Sequence, residues 1–298
     1  INKDVDQSIT STKQTTQYPR TMTVQKTINK NPSDLYLQRF KGAGYRVEKM
    51  GGAEVFLKKT EPINKDVDQS ITSTKQTTQY PRTMTVQKTI NKNPFAIQIY
   101  NSKDIVSNQI RGSGWETGFI TSLKNIFLSY SAKHNLPLSD LTFLDIGANV
   151  GWFSLNMAAL GVNVIAFEPM EQNYELIKRS LEEKINIDNG VSDRVTLYEH
   201  GLGVKEETCF LYSDDGNVGD GHIKCVASEE DLSIQKGYSI RQKVVVKRLD
   251  DVLTTEKVKS MNIIAAKLDC EGFEGNVLEG GMNVLLDGGI LNILSEYQ

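Results

Sequence analysis

Acidic residues end two consecutive apolar runs, at positions where a small polar ligand could bind. The run at 142–146 carries Asp145 and passes into a loop containing Gly147 and Gly151, after which an apolar helical pattern begins. Glycines in such a loop can adopt positive φ and let a ligand approach the backbone, while the new helix presents unpaired N–H groups. The next apolar run ends in Glu168, where a carboxylate suits the two hydroxyls of a ribose. We therefore predict a nucleoside-binding site.

This loop departs from the glycine pattern of dinucleotide-binding folds. In that pattern, a pyrophosphate sits on the helix N-terminus beside closely spaced glycines. Here Asn149 takes the middle position, bulky Trp152 follows the last glycine, and Asp145 adds a negative charge. A carboxylate at this place favours a cationic ligand over a phosphate. S-adenosylmethionine, a nucleoside with a sulfonium and no phosphate, fits these residues; an ordinary structural turn is the alternative.

A second group of acids is predicted to face the reacting atoms. Ligands of an open parallel sheet bind beyond the carboxyl ends of its strands. Asp269 and Glu296 end later apolar runs, as Asp145 and Glu168 end the first two, and Glu271 follows Asp269 by two positions. Methyl transfer from a sulfonium mainly needs alignment, and a hydroxyl acceptor also benefits from a base. Asp269 and Glu271 are candidates for that base.

Histidines supply a third candidate base and one further candidate for the pocket. His222 lies in a polar, glycine-rich loop that could fold over the site, and a merely solvated histidine is the alternative reading. His200 follows the third strand and is expected to border an adenine pocket, while His134 is expected to end a helix. Asp269 and Asp193 could bind Mg²⁺ through oxygen atoms. However, no ligand spacing supports this site, so no metal is predicted.

Composition and charge argue against several classes of protein. The chain of 298 residues is 24% charged and 39% apolar, a globular composition with length for one or two domains. No apolar run approaches about 18 residues, so no membrane span is expected, and without a visible leader the cytoplasm is the default location. A net charge of −3 argues against a nucleic-acid partner. Cys209, Cys225 and Cys270 form no C-x-x-C pair, so reduced thiols are expected, with a Cys209–Cys225 bridge left open.

The N-terminal region contains a duplication. Residues 1–32 recur unchanged as residues 63–94, and each copy is rich in Thr, Gln, Lys and Asn, with a net charge of +3. Such a polar segment buries too little apolar surface to offset its ordering entropy. Residues 1–94 are therefore predicted to be a disordered linker, a basic interaction tail being the alternative. Between the copies, the pattern at 45–57 is typical of a hairpin.

Alternating strands and helices are predicted to position the acids in a folded domain at 95–298. A strand at 95–100 and an amphipathic helix precede the first chemistry-bearing strand. Buried strands that alternate with helices indicate an α/β fold with a parallel sheet. Helices are expected at 151–160, 171–184 and 274–286; sheet strands end near residues 146, 168, 198, 268 and 296; added strands lie at 209–212, 223–226 and 243–246.

Several motifs together resemble the FkbM family of S-adenosylmethionine-dependent methyltransferases. They lie at 143–154, 166–169, 248–253 and 267–274, and the last reads Lys-x-Asp-x-Glu-Gly-x-Glu, as that family's signature does. The segment 113–116 also resembles the family's lead-in. The resemblance covers residues 95–298 and implies a Rossmann-like class I methyltransferase fold, a three-layer sandwich with a mostly parallel seven-stranded sheet. By position, the cofactor-binding residues would be Asp145, Gly147, Asn149, Gly151 and Glu168.

The same resemblance implies methylation of a hydroxyl on a sugar or other small molecule, with Asp269 and Glu271 on the reaction side. Such domains continue past the strand ending at Glu296 into a final antiparallel pair, which is missing here, so a bare sheet edge is expected. The duplicated segment is also foreign to the family. A truncated, non-catalytic nucleoside-binding domain is therefore one alternative. An NAD-dependent oxidoreductase is another, disfavoured by Asn149 and by the motif at 267–274.

Overall fold

Strands and helices alternate along most of the chain. The computed structural model describes residues 22–26, 46–50, 53–57, 82–102 and 104–297. The strands of these residues are β1 (Met22–Lys26), β2 (Arg46–Met50), β3 (Ala53–Leu57), β4 (Thr83–Ile90), β5 (Asn93–Tyr100), β6 (Thr142–Ile146), β7 (Asn163–Phe167), β8 (Val195–Tyr198), β9 (Gly201–Leu202), β10 (Glu207–Asp214), β11 (Gly221–Lys224), β12 (Tyr238–Lys247), β13 (Ile263–Leu268) and β14 (Asn292–Tyr297). The helices are α1 (Ile105–Arg111), α2 (Thr117–His134), α3 (Trp152–Leu160), α4 (Glu171–Leu181), α5 (Lys184–Asp188), α6 (Leu249–Val252), α7 (Thr255–Ser260), α8 (Glu274–Gly280) and α9 (Met282–Asp287).

The largest described sheet has eight strands in the order β2-β3-β1-β14-β13-β6-β7-β8. The pairs from β1 through β14, β13, β6 and β7 to β8 are all parallel. The chain crosses the sheet from β6 to β8 and then returns to the other side of β6 as β13 and β14. In open α/β sheets, the crevice at such a reversal is where ligands bind.

Both faces of the central strands are buried under other elements. Phe143 and Val164 pack on one face against α2, α3 and β5, whereas Leu144 and Ile165 pack on the other face with residues of α6 to α9. This alternation follows from the two-residue period of a strand, and burial on both faces explains the continuous apolar runs. The result is a three-layer arrangement, which confirms the predicted Rossmann-like α/β fold.

A smaller, mixed sheet, in which β9 pairs in parallel with β12, lies beside the carboxyl ends of the large one. Its strand order is β11-β10-β12-β9, with β10 antiparallel to both β11 and β12. These are the added strands that the sequence predicts. A disulfide joins Cys209 of β10 to Cys225, directly after β11. The expectation of three reduced thiols is therefore wrong for this pair, while Cys270 remains a free thiol.

Folded structure begins before the expected boundary at residue 95. Strand β4, which lies in the second copy of the duplicated segment, pairs antiparallel with β5 along its full length. Ile90 is buried, and Met84 and Val86 pack against the same core, so alternate residues of β4 face inward. The ordered part therefore starts at or before Thr83. Most other residues of both copies lie outside the described residues, so their disorder stays a prediction.

The last strand is not the bare sheet edge that the sequence predicts. Strand β1, from the first copy, pairs in parallel with β14 from Met22↔Ile293 to Lys26↔Tyr297. Strand β3 then pairs with β1, and β2 pairs with β3. The prediction is wrong because residues far upstream supply the neighbouring strand. The predicted hairpin at 45–57 is confirmed as β2 and β3.

The predicted helix at 274–286 is divided into α8 and α9. A Cβ on Gly280 would lie 1.8 Å from the carbonyl oxygen of Gly203, and one on Gly281 would lie 2.8 Å from the Leu249 side chain. One helix ends and the next begins at these two tightly packed glycines, with Gly281 at a non-helical φ of −122°, a break that sequence periodicity does not reveal. Among the described residues, no helix has the length and apolar character needed to cross a membrane.

Candidate active site

A cleft opens at the carboxyl ends of β6, β7, β8 and β13, on the crevice where the strand order reverses. It is lined by the loops that follow these strands, by Asn173 of α4, by Gly219 and by two residues of β11, Gly221 and Ile223. The sequence predicts this edge of the sheet as the binding region, and the structure confirms that a cleft lies there.

Two glycines allow close packing in the loop between β6 and α3. Gly147 has a φ of +79°, and a Cβ there would lie 1.8 Å from the backbone oxygen of Asp269. Only glycine therefore lets the loop after β6 touch the loop after β13. Gly151 has a φ of +84°, and a Cβ there would lie 2.9 Å from the Ile177 side chain. Gly147 lines the cleft, whereas Gly151 packs the start of α3 against α4.

Glu168 is held at the end of β7 by the backbone of two neighbouring loops. The Asn149 N–H donates to Glu168 Oε2 at 2.7 Å, and the Met170 N–H donates to Oε1 at 2.8 Å. Asn149 has a φ of +52°, and its side-chain Nδ2 donates to the Gly219 oxygen at 3.3 Å. A carboxylate has about four lone-pair sites. Asn173 is a third donor to Glu168, so about one site of the carboxylate remains to accept a hydroxyl from the cleft.

Burial changes the acidity of Glu168. The side chain lies almost entirely below the protein surface, and burial disfavours a charged carboxylate. The hydrogen bonds from Met170, Asn149 and Asn173 act in the opposite direction, but burial prevails and raises the pKa of Glu168 to about 7. The group therefore changes its charge near neutral pH, unlike an ordinary glutamate.

Asp145 lies beneath the cleft rather than on its wall. It is completely buried, and its Oδ2 accepts a hydrogen bond from Ser154 Oγ at 2.6 Å. Its Oδ1 lies 3.9 Å from Lys267 Nζ and has no hydrogen-bond partner within the described residues. Burial raises the pKa of Asp145, while Lys267 lowers it. A direct contact between Asp145 and a cofactor remains a prediction; the structure places this acid where it acts on the loops through Lys267.

Lys267 links the loops that surround the reaction side. Its Nζ donates to the Gly147 oxygen at 3.0 Å and forms an ion pair with Asp269 Oδ2 at 2.9 Å. Although burial lowers it, the carboxylates of Asp269 and Asp145 raise the pKa of Lys267 overall, so the lysine stays charged. In the sequence, this residue stands out only as the first residue of the motif at 267–274. The available signal is a lysine within an otherwise apolar, buried strand.

A buried glutamate shapes the loop after β13. Glu274 Oε1 accepts hydrogen bonds from the N–H groups of Cys270 at 2.6 Å and of Gly272 at 3.3 Å. Glu271 lies between these two donors, and Glu271 and Gly272 have φ values of +51° and +88°. This turn places Asp269 and Glu271 on the cleft wall. Glu274, the last residue of the motif at 267–274, therefore positions Asp269 and Glu271. The sequence alone does not reveal this role.

The sequence predicts His222 in a loop, whereas the structure places it in strand β11, beside the loop that follows β13. Its Nδ1 lies 3.1 Å from the backbone oxygen of Glu271, and the rings of Tyr212 and Tyr238 lie 5.5 and 5.7 Å from its own. Asp220 Oδ2 lies 3.7 Å from His222 Nε2. The Asp220 carboxylate raises the pKa of His222 against the effect of burial. His222 and Glu271 thus meet beside the cleft that Asp269 also lines, although their catalytic roles remain predictions.

An apolar wall completes the cleft on the side of β7 and β8. Phe167, Leu202 and Ile223 line it together with His200, whose ring lies 5.4 Å from that of Phe167. This confirms that His200 borders the pocket. The Phe167 ring is almost fully buried and stacks on that of Tyr198 at 4.8 Å, so it supports this wall from behind. His134 ends α2 as expected.

Comparison with known proteins identifies relatives of this domain. The Methyltransferase FkbM domain matches residues 145–293, half of the chain. The structure of methyltransferase FkbM from Methylobacillus flagellatus KT is 18% identical, with a TM-score of 0.33, and the match covers 54% of this chain and 34% of that one. The structure of the 16S rRNA N2 G1207 methyltransferase of T. thermophilus, in complex with AdoMet and guanosine, is 12% identical, with a TM-score of 0.24. That match covers 61% of this chain and 53% of that one. No curated protein matches the chain.

These matches span only about a third and about half of the length of the two solved proteins. The family match, in contrast, extends from Asp145 in β6 to Ile293 in β14. It therefore includes the glycine loop, Glu168 and the loop after β13, which together form most of the cleft. On this match, the chain belongs to the FkbM methyltransferase domain family.

Proposed function

We propose that this domain transfers a methyl group from S-adenosylmethionine to a hydroxyl group of a sugar or another small molecule. The observation that carries the proposal is Glu168, a buried carboxylate that two backbone N–H groups hold at the end of β7. It stands between an apolar wall and a group of acids in a single cleft. Membership of a methyltransferase family supports the same reaction class.

The residues of the cleft suit a cationic nucleoside. Glu168 would accept a hydrogen bond from a ribose hydroxyl, and His200, Leu202 and Ile223 of the apolar wall would pack beside the adenine. Asp269 and Glu271 line the same space, and Asp145 lies below the loop after β6. Acids outnumber Lys267 here, so the cleft favours a positively charged sulfur over a phosphate. S-adenosylmethionine supplies a methyl group that its sulfonium already activates.

The acceptor would lie next to the loop after β13. One oxygen of Asp269 is held by Lys267 at 2.9 Å, while Oδ1 has no hydrogen-bond partner among the described residues. Asp269 is therefore the candidate that would accept the hydrogen of the acceptor hydroxyl, and the ion pair with Lys267 would fix its orientation. Glu271 and His222 are the other candidates for this role. General-base assistance of this kind typically contributes about 10²–10⁴-fold in rate.

Calorimetric titration of the purified chain with S-adenosylmethionine, S-adenosylhomocysteine and NAD tests the cofactor. We expect both adenosyl compounds to bind with one-to-one stoichiometry and NAD not to bind. Binding of NAD alone would favour an oxidoreductase and overturn the proposal. Transfer of a radiolabelled methyl group to a panel of sugars and other hydroxyl compounds tests the reaction. Cofactor binding without transfer to any acceptor would instead favour a non-catalytic nucleoside-binding domain.

A further inference from the structure

Three side chains from two loops direct ligand atoms towards one point beside the cleft. One side-chain atom each from Asp220, His222 and Glu271 lies within 4.8 Å of the other two. Asp220 and His222 are two residues apart at the start of β11, so their side chains lie on the same side of extended backbone. Glu271 arrives from the loop after β13, where the buried Glu274 fixes the turn by accepting from the Cys270 N–H at 2.6 Å.

The hydrogen bonding of His222 determines which of its nitrogen atoms is available. Nδ1 contacts the backbone oxygen of Glu271 at 3.1 Å. A carbonyl oxygen only accepts hydrogen bonds, so Nδ1 carries the hydrogen, and in the neutral ring Nε2 keeps a free lone pair. Nε2 is buried and has no hydrogen-bond partner within the described part of the chain. Histidines that bind metals almost always donate their second ring N–H in this way.

The lone pair of Nε2 faces a carboxylate that is too distant to be a hydrogen-bond partner. Asp220 Oδ2 lies 3.7 Å from Nε2, beyond the usual hydrogen-bond range. Asp220 also interacts with the Glu271 carboxyl group. Three groups with electron-rich atoms therefore surround one point, an arrangement that a positive ion stabilises. A distance of a few ångströms between such atoms is what ligands around a single metal ion require.

We propose that Asp220, His222 and Glu271 bind one divalent transition-metal ion, such as Mn²⁺ or Zn²⁺, on the reaction side of the cleft. Imidazole together with carboxylates suits these ions, whereas Ca²⁺ and Mg²⁺ prefer sets of oxygen ligands alone. Three protein ligands leave coordination positions open to water or substrate. The role of the ion rests on the proposed function: an open position would orient the acceptor hydroxyl while Asp269 accepts its hydrogen.

Other candidate metal sites are weaker. The second group of suitable geometry among the described residues comprises Glu207, Cys209 and Cys225. The two sulfur atoms of that group form a disulfide and are therefore not available as thiolate ligands. The pairing of Asp193 with Asp269, considered from the sequence, belongs to neither group. The site at His222 is thus the one that the side-chain chemistry supports.

Titration of the metal-free chain with Mn²⁺, followed by the electron paramagnetic resonance signal of free Mn²⁺, tests the proposal. We expect one saturable site, with at least tenfold weaker binding in His222→Gln and in Asp220→Asn. The substitution Glu230→Gln, at an exposed position in the loop after β11, should leave the affinity unchanged. In the unmodified chain, Mn²⁺ should broaden the imidazole NMR signals of His222 before those of the other two histidines, a result that does not depend on the folding of any variant.

The absence of saturable Mn²⁺ and Zn²⁺ binding would overturn the proposal, and so would equal affinity in the wild type and both variants. In either case, a proton rather than a metal ion would hold the three side chains together. S-adenosylmethionine binding is measured separately, in the presence of a chelator. Metal binding without cofactor binding would remove the proposed function alone, whereas cofactor binding without metal binding would remove this site alone.

Discussion

At the scale of single residues, Glu168 combines full burial with two backbone hydrogen bonds, and each property has a separate consequence. The Asn149 and Met170 N–H groups orient the carboxylate, whereas burial raises its pKa to about 7. A ligand that donates hydroxyl hydrogens therefore meets a group that is preorganised but only partly ionised at neutral pH. Affinity and stability should depend on pH in opposite directions because of this one side chain.

Replacement of Glu168 by Gln should weaken S-adenosylmethionine binding at pH 8 by about tenfold or more, which corresponds to about 1.4 kcal/mol. The amide has one acceptor oxygen, so its NH₂ group would face either the Asn149 or the Met170 N–H and leave that donor unpaired. Calorimetry measures the effect, with Glu230→Gln as the matched control. Unchanged affinity in Glu168→Gln would remove this residue from the cofactor site.

Cofactor affinity of the wild type should rise between pH 6 and pH 8 as Glu168 ionises. Fold stability should change in the other direction. Folding raises the pKa of this carboxyl from its ordinary 4.5 to about 7, so the folded state binds the proton more tightly. The free energy of unfolding therefore falls as the pH increases from about 4.5 to about 7. The loss is at most about 3 kcal/mol. Urea unfolding at pH 5 and pH 8 should show a larger loss in the wild type than in Glu168→Gln, because Asp145 and Glu274, whose pKa values are also raised, still contribute in the variant. Equal pH dependence in both chains would contradict the prediction.

Replacement of Asp269 by Asn should lower turnover far more than cofactor affinity. The amide cannot accept the acceptor's hydrogen and loses the ion pair with Lys267, which spans 2.9 Å. We expect kcat to fall by about 10²–10⁴-fold, while the Kd for S-adenosylmethionine stays within a few-fold of the wild-type value. Steady-state methyl-transfer assays and calorimetry separate the two quantities. Wild-type turnover in this variant would exclude Asp269 as the base.

At the scale of elements, the cleft exists because the loops after β6 and β13 touch. Residues of β6 and β13 pair in parallel up to Ile146 and Leu268, so their following loops emerge side by side. Lys267 donates to the Gly147 oxygen at 3.0 Å and joins the two loops. The backbone oxygen of Asp269 leaves no space for a side chain at Gly147, so the contact between the two loops should be sensitive to the addition of one methyl group.

Replacement of Gly147 by Ala should destabilise the fold and abolish cofactor binding. The new Cβ would lie 1.8 Å from the Asp269 oxygen, and the left-handed backbone alone costs about 1–3 kcal/mol for a residue with a side chain. Gly118→Ala is the matched control, because nothing lies within 4 Å of a Cβ at that position in α2; it should stabilise the fold by about 0.5–1 kcal/mol. Denaturant unfolding compares the two, and similar stabilities would refute the contact.

At the scale of the whole molecule, strands that are distant in sequence complete the large sheet. Strand β1 covers the edge of β14, and the β2–β3 hairpin extends the sheet further. An uncovered edge strand exposes a row of unpaired backbone groups that can pair with another chain. The N-terminal region therefore has a structural role that the description of a disordered linker does not include.

Deletion of residues 1–57 should expose β14 while leaving the β4–β5 hairpin in place. We expect a lower Tm and self-association of the shortened chain, because the exposed strand would pair with a second molecule. Differential scanning calorimetry and size-exclusion chromatography measure the two effects. A shortened chain that stays monomeric with the wild-type Tm would show that β1 contributes nothing to the stability of the sheet edge.

Local pattern was sufficient to predict the sheet strands and the acids at their ends. Burial on both faces gives a parallel strand a continuous apolar run, and the residue that ends such a run must lie at the carboxyl edge. Glu168 and Asp269 were therefore predictable from their own segments. The motif at 267–274 was sufficient to indicate the family that the match over residues 145–293 shows. These inferences need only short stretches of sequence.

Contacts between distant segments were decided by the tertiary structure. His222 meets Glu271 across 49 positions, and Lys267 meets Gly147 across 120. The duplication shows why such contacts cannot be predicted from local sequence. Residues 22–26 and 84–88 have identical sequences. Residues 22–26 nevertheless pair in parallel with β14, whereas residues 84–88 pair antiparallel with β5. Both segments read Met-Thr-Val-Gln-Lys. The choice of partner therefore depends on which strand edge the rest of the chain brings within hydrogen-bonding distance.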